Sequence, residues 1–282
     1  MAEAALSSAE QARFWEDGWL VINDLFSEAE VAEMRVAIES PEIAEAARNA
    51  GLEYQTVHLL GITARHPRFL ALAQDPRIIG RLTSLIGPDI QLQHSKLAAQ
   101  ARTKAKGGFH WHQDFAFFPH TNTDLVALMV MLDHATEENG CMHMVRGSHR
   151  LGPLDHAQNG RFTGACQQPE HWEAHPERVA AVTPRAGGIS IHHCLTLHGS
   201  GPNPSGLPRR GIVFQYRADD AYQLADTVFP DTGLLIAGSR KGQVRCTAGT
   251  VRLPWASRAP GHHPYGSAWN QEGPFAREQN EP

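Results

Sequence analysis

The stretch FHWHQDF, residues 109–115, places two histidines, one aspartate and three aromatic side chains within seven positions. Aromatic residues favour β-strands, and alternate residues of a strand point to the same side. His112 and Asp114 would then present an imidazole and a carboxylate to one ion, as a metal site requires. The tripeptide alone proves little, because the histidine and aspartate content predicts about 0.7 chance copies of HxD in the chain. The surrounding sequence therefore has to decide its meaning.

The sequence around this stretch is typical of a β-rich core. Short apolar runs are separated by clusters of Gly, Pro and Asn, a pattern that predicts a sandwich or a barrel. The run DLVALMVML at 124–132 is apolar on both faces, as an interior strand should be. The predicted strands are residues 90–99, 109–117, 124–132, 141–145, 179–183, 187–193 and 209–217.

Helix-start signals mark the part of the chain before these strands. They are a serine cap, a Ser-x-x-Glu capping box and an Asp-Pro step. Between the first two helices, WLVI at 19–22 predicts a short buried strand. The predicted helices run from Ser7 or Ser8 through Trp15, over residues 28–38 after the box formed by Ser27 and Glu30, and from Asp75-Pro76 to Gly87-Pro88.

These patterns predict one domain over residues 1–246, with a helical part at 1–88 and a strand core at 89–220. The polar stretch 152–178 is long for a loop, and we expect it to pass over the mouth of the barrel. From residue 247 to 282 the chain becomes rich in Pro, Gly and polar residues, which predicts an extended tail.

Composition favours a small-molecule partner. The net charge of −5 gives no general attraction to nucleic acid or to an anionic membrane. No apolar run approaches the ~18 residues of a membrane helix, and MAEAALSSAE at the start carries no export signal. The four cysteines show no CxxC spacing, so we expect reduced thiols in a cytoplasmic protein. Composition leaves the oligomeric state open.

A third metal ligand is available at the distal end of the strand region. His198 lies in LTLHGSG, and together with His112 and Asp114 it would complete a 2-His-1-carboxylate facial triad. This triad binds Fe(II) through one face and leaves positions open for a cosubstrate and dioxygen.

Four further segments of the chain are informative together: FWEDGWLVINDLFSEAEV, WHQDFAFFPHTNTDL, ENGCMHMVRGSHR and LHGSGPNPSGLPRR. They resemble the phytanoyl-CoA dioxygenase-like family of iron(II) and 2-oxoglutarate dioxygenases, which includes ectoine hydroxylases. The resemblance spans roughly residues 12–217 and implies a mainly β fold with flanking α-helices. The core would be a double-stranded β-helix of the jelly-roll, cupin-like type, with the N-terminal helices packed on one sheet.

The resemblance also implies roles for individual residues. Iron would be bound by His112, Asp114 and His198, and the C5 carboxylate of 2-oxoglutarate by Arg209, with Ser200 close to the same carboxylate. Dioxygen would be the oxidant, and ascorbate is expected to support activity. Iron halogenases of this wider group have Ala or Gly where Asp114 stands, so hydroxylation is favoured over halogenation. The family's phytanoyl-CoA enzymes tend to have a Lys and a Trp near the cosubstrate, whereas this chain has LAAQ at 97–100 and Val130 there.

Alternation along the strand that begins at Arg209 predicts which residues meet the substrate. Val213 and Gln215 share a face with Arg209 but lie further along the strand, so we expect them to contact the substrate or its immediate surroundings. Phe115 and Phe117 follow the metal-binding stretch directly and are candidates for the wall of the substrate pocket. His192 and His193 are interpreted as turn and edge residues.

The leading hypothesis is a 2-oxoglutarate-dependent hydroxylase that acts on an unactivated C–H bond of a small molecule and forms succinate and CO₂. A non-catalytic barrel that binds a small molecule or a metal is the alternative. A zinc hydrolase is a further one, but the HExxH motif is absent from the sequence. The sequence leaves the identity of the substrate open.

Overall fold

The computed structural model describes residues 4–49, 57–100, 108–227, 229–247 and 249–254, and within them two antiparallel β-sheets face each other. The larger sheet has the strand order β1-β10-β5-β12-β3-β13, with β2 also paired to β3. The smaller sheet has the order β4-β11-β6-β9. This arrangement is the double-stranded β-helix expected from the sequence.

The bounds of the elements are as follows. The N-terminal part contains α1 (Ser8–Asp17), β1 (Trp19–Ile22), α2 (Glu28–Ile38), α3 (Pro41–Asn49), β2 (Val57–Leu60), α4 (Pro67–Ala73) and α5 (Pro76–Ile86). The core contains β3 (Ile90–Gln100), β4 (Phe109–His112), β5 (Leu125–Met131), β6 (Met142–Val145), β7 (Ala157–Gln158), β8 (Arg161–Phe162), α6 (Glu170–Glu173), β9 (Val179–Val182), β10 (Ile189–His193), β11 (His198–Ser200), β12 (Arg209–Ala218) and β13 (Leu234–Ala237).

The N-terminal helices pack on the outer face of the larger sheet. The capping box predicted at Ser27 and Glu30 is present at the start of α2. The serine cap predicted for α1 is Ser7, which forms a second capping box with Glu10. Asp75 caps α5, and Gly87 ends it with φ 88°. The helices bury apolar side chains against one face of the sheet, to which β12 contributes Ile212, Phe214 and Tyr216. This packing confirms the prediction that helices cover one sheet.

Strand β12 lies at the centre of the larger sheet, between β3 and β5. Its outward residues Ile212 and Phe214 belong to the helix-facing core, whereas Val213 belongs to a separate cluster between the two sheets. The alternation predicted for this strand is therefore confirmed. Arg209 stands on the inward face and is buried, while Arg210 faces out and is only partly buried.

The strand predicted at 109–117 is wrong in its second half. It ends at His112, and residues 114–116 form a turn of 3₁₀ helix. The amide of Phe115 donates to the carbonyl of Cys194 at 3.0 Å instead of continuing a strand ladder. Asp114 therefore reaches the same point as His112 through a turn, and not through strand alternation.

The excursion and the tail predicted from the sequence have different outcomes. The excursion at 152–178 contains the two-stranded hairpin β7–β8 and the short helix α6. Of the predicted tail, residues 255–282 and residue 248 lie outside the described residues, so that prediction stays open. No helix in the described ranges is both long and apolar enough to cross a membrane.

Candidate active site

Three side chains meet between the sheets, one from each of three local structures. His112 ends β4, Asp114 opens the 3₁₀ turn and His198 begins β11. Strands β4 and β11 pair so that His112 and His198 stand opposite each other. The Nε2 atoms of the two imidazoles lie 3.8 and 3.9 Å from Oδ1 of Asp114. All three ligand atoms lie within 4.8 Å of one another and can face a single ion.

The backbone fixes both imidazoles in the form that binds a metal. Nδ1 of His112 donates to the carbonyl of His110 at 2.7 Å, and Nδ1 of His198 donates to that of Thr196 at 2.9 Å. Because each Nδ1 carries a proton, each Nε2 offers its lone pair to the space beside Asp114. Burial lowers the pKa of His112 to about 4 and that of His198 well below its usual value, so both rings are neutral near pH 7.

Asp114 is held through its other oxygen. Oδ2 accepts hydrogen bonds from Nε2 of His192 at 3.1 Å and from Nε2 of Gln215 at 2.6 Å. Burial by itself raises the pKa of Asp114, but the bond from His192 and the nearby imidazoles outweigh it and hold the pKa well below its usual range. An ionised carboxylate and two neutral imidazoles are the donor set of non-haem iron(II) sites.

His192 was interpreted from the sequence as a turn or edge residue, but it lies in β10 with its ring against the site. The strand sequence ISIHH contains the signal that could have identified it. Ile189 and Ile191 face the helix-side core, so alternation turns Ser190 and His192 inward. His193 points elsewhere and packs beside Trp15.

Arg209 and Ser200 line the same cavity as the triad. Arg209 is 5% exposed, and burial lowers its pKa to about 10, so it stays protonated at neutral pH. Throughout the described ranges no acidic side chain forms an ion pair with Arg209, and the buried Oγ of Ser200 has no hydrogen-bond partner there. A buried cation without an acidic partner is costly unless a ligand supplies the negative charge.

Lys96 also lines this cavity, and the sequence reading missed it. The sequence placed LAAQ, residues 97–100, where relatives have a lysine, but Lys96 precedes that segment by one position and pairs with Val213 across β3 and β12. Lys96 is buried, and burial lowers its pKa. A lysine is therefore present beside the site after all.

The four residues predicted to contact the substrate or to line its pocket fall into two groups. Val213 and Gln215 line the cavity, as the alternation of β12 required. Phe115 and Phe117 are buried in a neighbouring apolar cluster, where the ring of Phe117 lies edge-on to that of His112 with centroids 5.6 Å apart. Substrate contact by any of the four stays a prediction.

Gln113, between the two ligands of the HxD motif, fastens the 152–178 excursion. Its amide nitrogen donates to the carbonyls of Gly152 and Leu195 at 2.9 and 2.8 Å, and its amide oxygen accepts from the backbone of Leu154 at 2.8 Å. The backbone of Gln113 also donates to Nε2 of His156 at 2.9 Å. The first residues of the excursion are thus tied to the metal-binding segment.

We expect Gln113→Ala to lower the free energy of unfolding by about 2 to 4 kcal/mol, because it removes three buried hydrogen bonds and leaves their backbone partners unpaired. Urea denaturation measures this change, and hydrogen exchange should rise at residues 152–156. Gln158→Ala is the control, since Gln158 is an exposed glutamine of the same excursion. Equal effects of the two substitutions would contradict the anchoring role.

Comparison with known proteins agrees with this geometry. A family model described as phytanoyl-CoA dioxygenase (PhyH) matches residues 14–211. A probable α-ketoglutarate-dependent hypophosphite dioxygenase from Stutzerimonas stutzeri is 34% identical over 232 residues, which cover 77% of this chain and 80% of the relative. An ectoine dioxygenase from Bordetella parapertussis is 26% identical over 239 residues, which cover 75% of this chain and 75% of the relative.

Solved structures show the same fold. The non-haem α-ketoglutarate-dependent carbocyclase SnoK from nogalamycin biosynthesis superposes with a TM-score of 0.64 at 25% identity, covering 80% of this chain and 96% of SnoK. EctD from S. alaskensis with 2-oxoglutarate and 5-hydroxyectoine gives a TM-score of 0.60 at 25% identity, covering 76% of each chain. With a family match over 14–211 and a triad suited to iron(II), the chain belongs to the phytanoyl-CoA dioxygenase (PhyH) family of iron(II)- and 2-oxoglutarate-dependent dioxygenases.

Proposed function

We propose that this dioxygenase binds Fe(II) through His112, Asp114 and His198 and oxidises a small polar molecule, most simply by hydroxylation. The observation that carries the proposal is the buried triad with both imidazoles held in the metal-binding tautomer. When bound, iron(II) supplies the redox chemistry that couples dioxygen to the conversion of 2-oxoglutarate into succinate and CO₂. The protein supplies orientation and exclusion of water.

The cosubstrate is oriented by Arg209 and Ser200 in this proposal. A guanidinium binds a carboxylate through two parallel hydrogen bonds, and Arg209 lies buried in the cavity with its charge uncompensated by any acidic residue of the described chain. The hydroxyl of Ser200 lines the same cavity and offers a further donor. We assign the C5 carboxylate of 2-oxoglutarate to this pair.

The substrate is proposed to bind beside the iron along the inward face of β12. Val213 and Gln215 line the cavity there, together with the small or flexible side chains of Ala127 and Met129. The two relatives with the named substrates act on hypophosphite and on ectoine, both of which are small and polar. Hypophosphite is the first candidate for this chain, because the hypophosphite enzyme shares the higher identity with it.

The proposed activity predicts a substrate-dependent rise in succinate. Purified protein with Fe(II), ascorbate and 2-oxoglutarate should form succinate slowly alone and at least about tenfold faster with its substrate, because binding energy from the substrate completes the reacting geometry. We would measure succinate with hypophosphite, ectoine and a panel of small amino acids and phosphonates. Phosphite and hydroxyectoine are the products that would be measured in the first two reactions.

An iron-free sample is the control for this assay. Stimulation by hypophosphite or by ectoine with matching product would establish the substrate. Iron-loaded protein that binds 2-oxoglutarate but forms no succinate with any compound would instead favour the non-catalytic binding module. Zinc-dependent hydrolysis without 2-oxoglutarate would favour a hydrolase.

We also propose that residues 1–246 act as one catalytic domain and that the enzyme works in the cytoplasm. Cys141, Cys166 and Cys194 are free, buried thiols, and burial raises the pKa of each, to about 11 for Cys166. Protonated buried thiols resist oxidation, and free thiols are typical of proteins in a reducing compartment.

A further inference from the structure

Two buried side chains outside the triad converge on one oxygen of Asp114. Gln215 reaches Oδ2 from β12 and His192 reaches it from β10, at 2.6 and 3.1 Å. His192 is 3% exposed and Gln215 is 1% exposed. A carboxylate oxygen can only accept, so both nitrogens donate, and hydrogen bonds to an ionised group in a buried site are among the stronger ones in proteins.

The sheet places these two donors symmetrically. His192 and Gln215 are both register partners of Ala127, one on each side of β5. The three residues therefore form a row across β10, β5 and β12, with the smallest side chain in the middle. Ala127 lines the cavity, and its single methyl group leaves space for the carboxylate of Asp114 between the two donors.

We infer that His192 and Gln215 are positioning residues that hold Oδ2 of Asp114 and leave Oδ1 alone for the metal. Oδ1 is the oxygen that faces the two imidazoles, at 3.8 and 3.9 Å. A carboxylate that gave both oxygens to the ion would occupy a position that cosubstrate or dioxygen needs. The inference rests on the proposed iron site and explains why one face of that site stays open.

The other ends of these two side chains also distinguish them from ordinary polar groups of the core. In the described chain, Oε1 of Gln215 and Nδ1 of His192 are buried and make no hydrogen bond. A side chain that serves only to satisfy the core would have both ends paired. The one hydrogen bond that each side chain makes is to the carboxylate of the metal ligand Asp114. This is the arrangement expected of groups that orient a ligand.

The test removes each donor while keeping the shape. Gln215→Leu and His192→Phe should weaken Fe(II) binding by about 10- to 100-fold, the range known for outer partners of metal ligands. Affinity would be measured by anaerobic titration of the full chain with Fe(II) in the presence of 2-oxoglutarate, through the visible charge-transfer band of that complex. His192→Gln keeps a donor at a similar reach and should restore most of the affinity.

The matched control is Gln91→Leu. Gln91 is a buried glutamine of β3 that accepts from Arg217 at 2.7 Å and donates to Asp219, far from the triad residues in sequence and in partners. Its replacement should lower the free energy of unfolding of the metal-free protein without changing Fe(II) affinity. If Gln215→Leu does not fold, Gln215→Asn withdraws the donor by one methylene and keeps the amide.

The outcomes separate this inference from the proposed function. Parent protein that fails to bind Fe(II) or to form succinate would overturn the proposed function itself. Active parent protein with unchanged Fe(II) affinity in Gln215→Leu, Gln215→Asn and His192→Phe would overturn the inference alone. Weaker Fe(II) binding in the donor-removing variants, with restoration by His192→Gln and none of the effect in Gln91→Leu, supports it.

Discussion

We expect Asp114→Ala and His112→Ala to abolish succinate formation. Asp114→Ala removes the ionised carboxylate and His112→Ala removes one of two neutral imidazoles, so each leaves only two of the three donors that would bind Fe(II). We expect losses above about 100-fold in turnover, more than the loss of an outer partner causes. Succinate formation and Fe(II) content, measured on the same preparations, check this result.

The control for this experiment is His143→Ala. His143 lies in β6 of the same small sheet and is half-buried, whereas its neighbours Met142 and Met144 are buried between the sheets. Its loss should leave Fe(II) content and succinate formation close to those of the parent. Near-parental activity in Asp114→Ala or His112→Ala with full iron loading would mean that the triad is assigned incorrectly.

We expect Arg209→Lys to raise the 2-oxoglutarate requirement by about one to two orders of magnitude. Losing a bidentate pair with the carboxylate costs about 1.5 to 3 kcal/mol. A buried lysine also gives up its proton more readily than arginine, so part of the charge at this end of the cavity is lost as well. Steady-state KM for 2-oxoglutarate, with substrate saturating, measures the effect.

Arg210→Lys is the matched control on the adjacent residue. The guanidinium of Arg210 donates two hydrogen bonds to Asp133, at 2.8 and 3.0 Å, and one to Glu39 at 3.1 Å, on the outside of the larger sheet. Its replacement should reduce stability modestly and leave KM for 2-oxoglutarate unchanged. Equal rises in KM for both variants would refute the register of β12.

The sequence predicted well what depends on short-range patterns. The serine cap of α1 and the capping box of α2 are local hydrogen-bond arrangements, and both are present, at Ser7 and at Ser27. The alternation of β12 depends only on the pleat of a strand. It predicted correctly that Val213 faces inward and Ile212 faces the helices. Iron and 2-oxoglutarate followed from the linked HxD, distal histidine and arginine segments, and the comparisons bear them out.

What the sequence did not predict depends on partners distant along the chain. β11 has only three residues and exists because it pairs with β4 and β6. The turn at Asp114 forms because the carbonyl of Cys194 takes the next amide hydrogen bond. The contact between His192 and Asp114 joins residues 78 positions apart, and no local pattern encodes it.

Helices α3 and α4 were not predicted, although a local signal for them exists. Each begins at a proline, which is favoured at the first position of a helix.

The buried charge of Arg209 links the cosubstrate to the lifetime of the protein. Folding has to dehydrate this guanidinium without an acidic residue of the described chain to offset it, and this reduces the margin of stability of the ligand-free enzyme. Any ligand that binds only the folded state stabilises it, by about 2.7 kcal/mol when its concentration is a hundred times Kd, and 2-oxoglutarate would do so here. Because proteases act on the unfolded fraction, we expect the protein to be degraded more slowly when 2-oxoglutarate is bound.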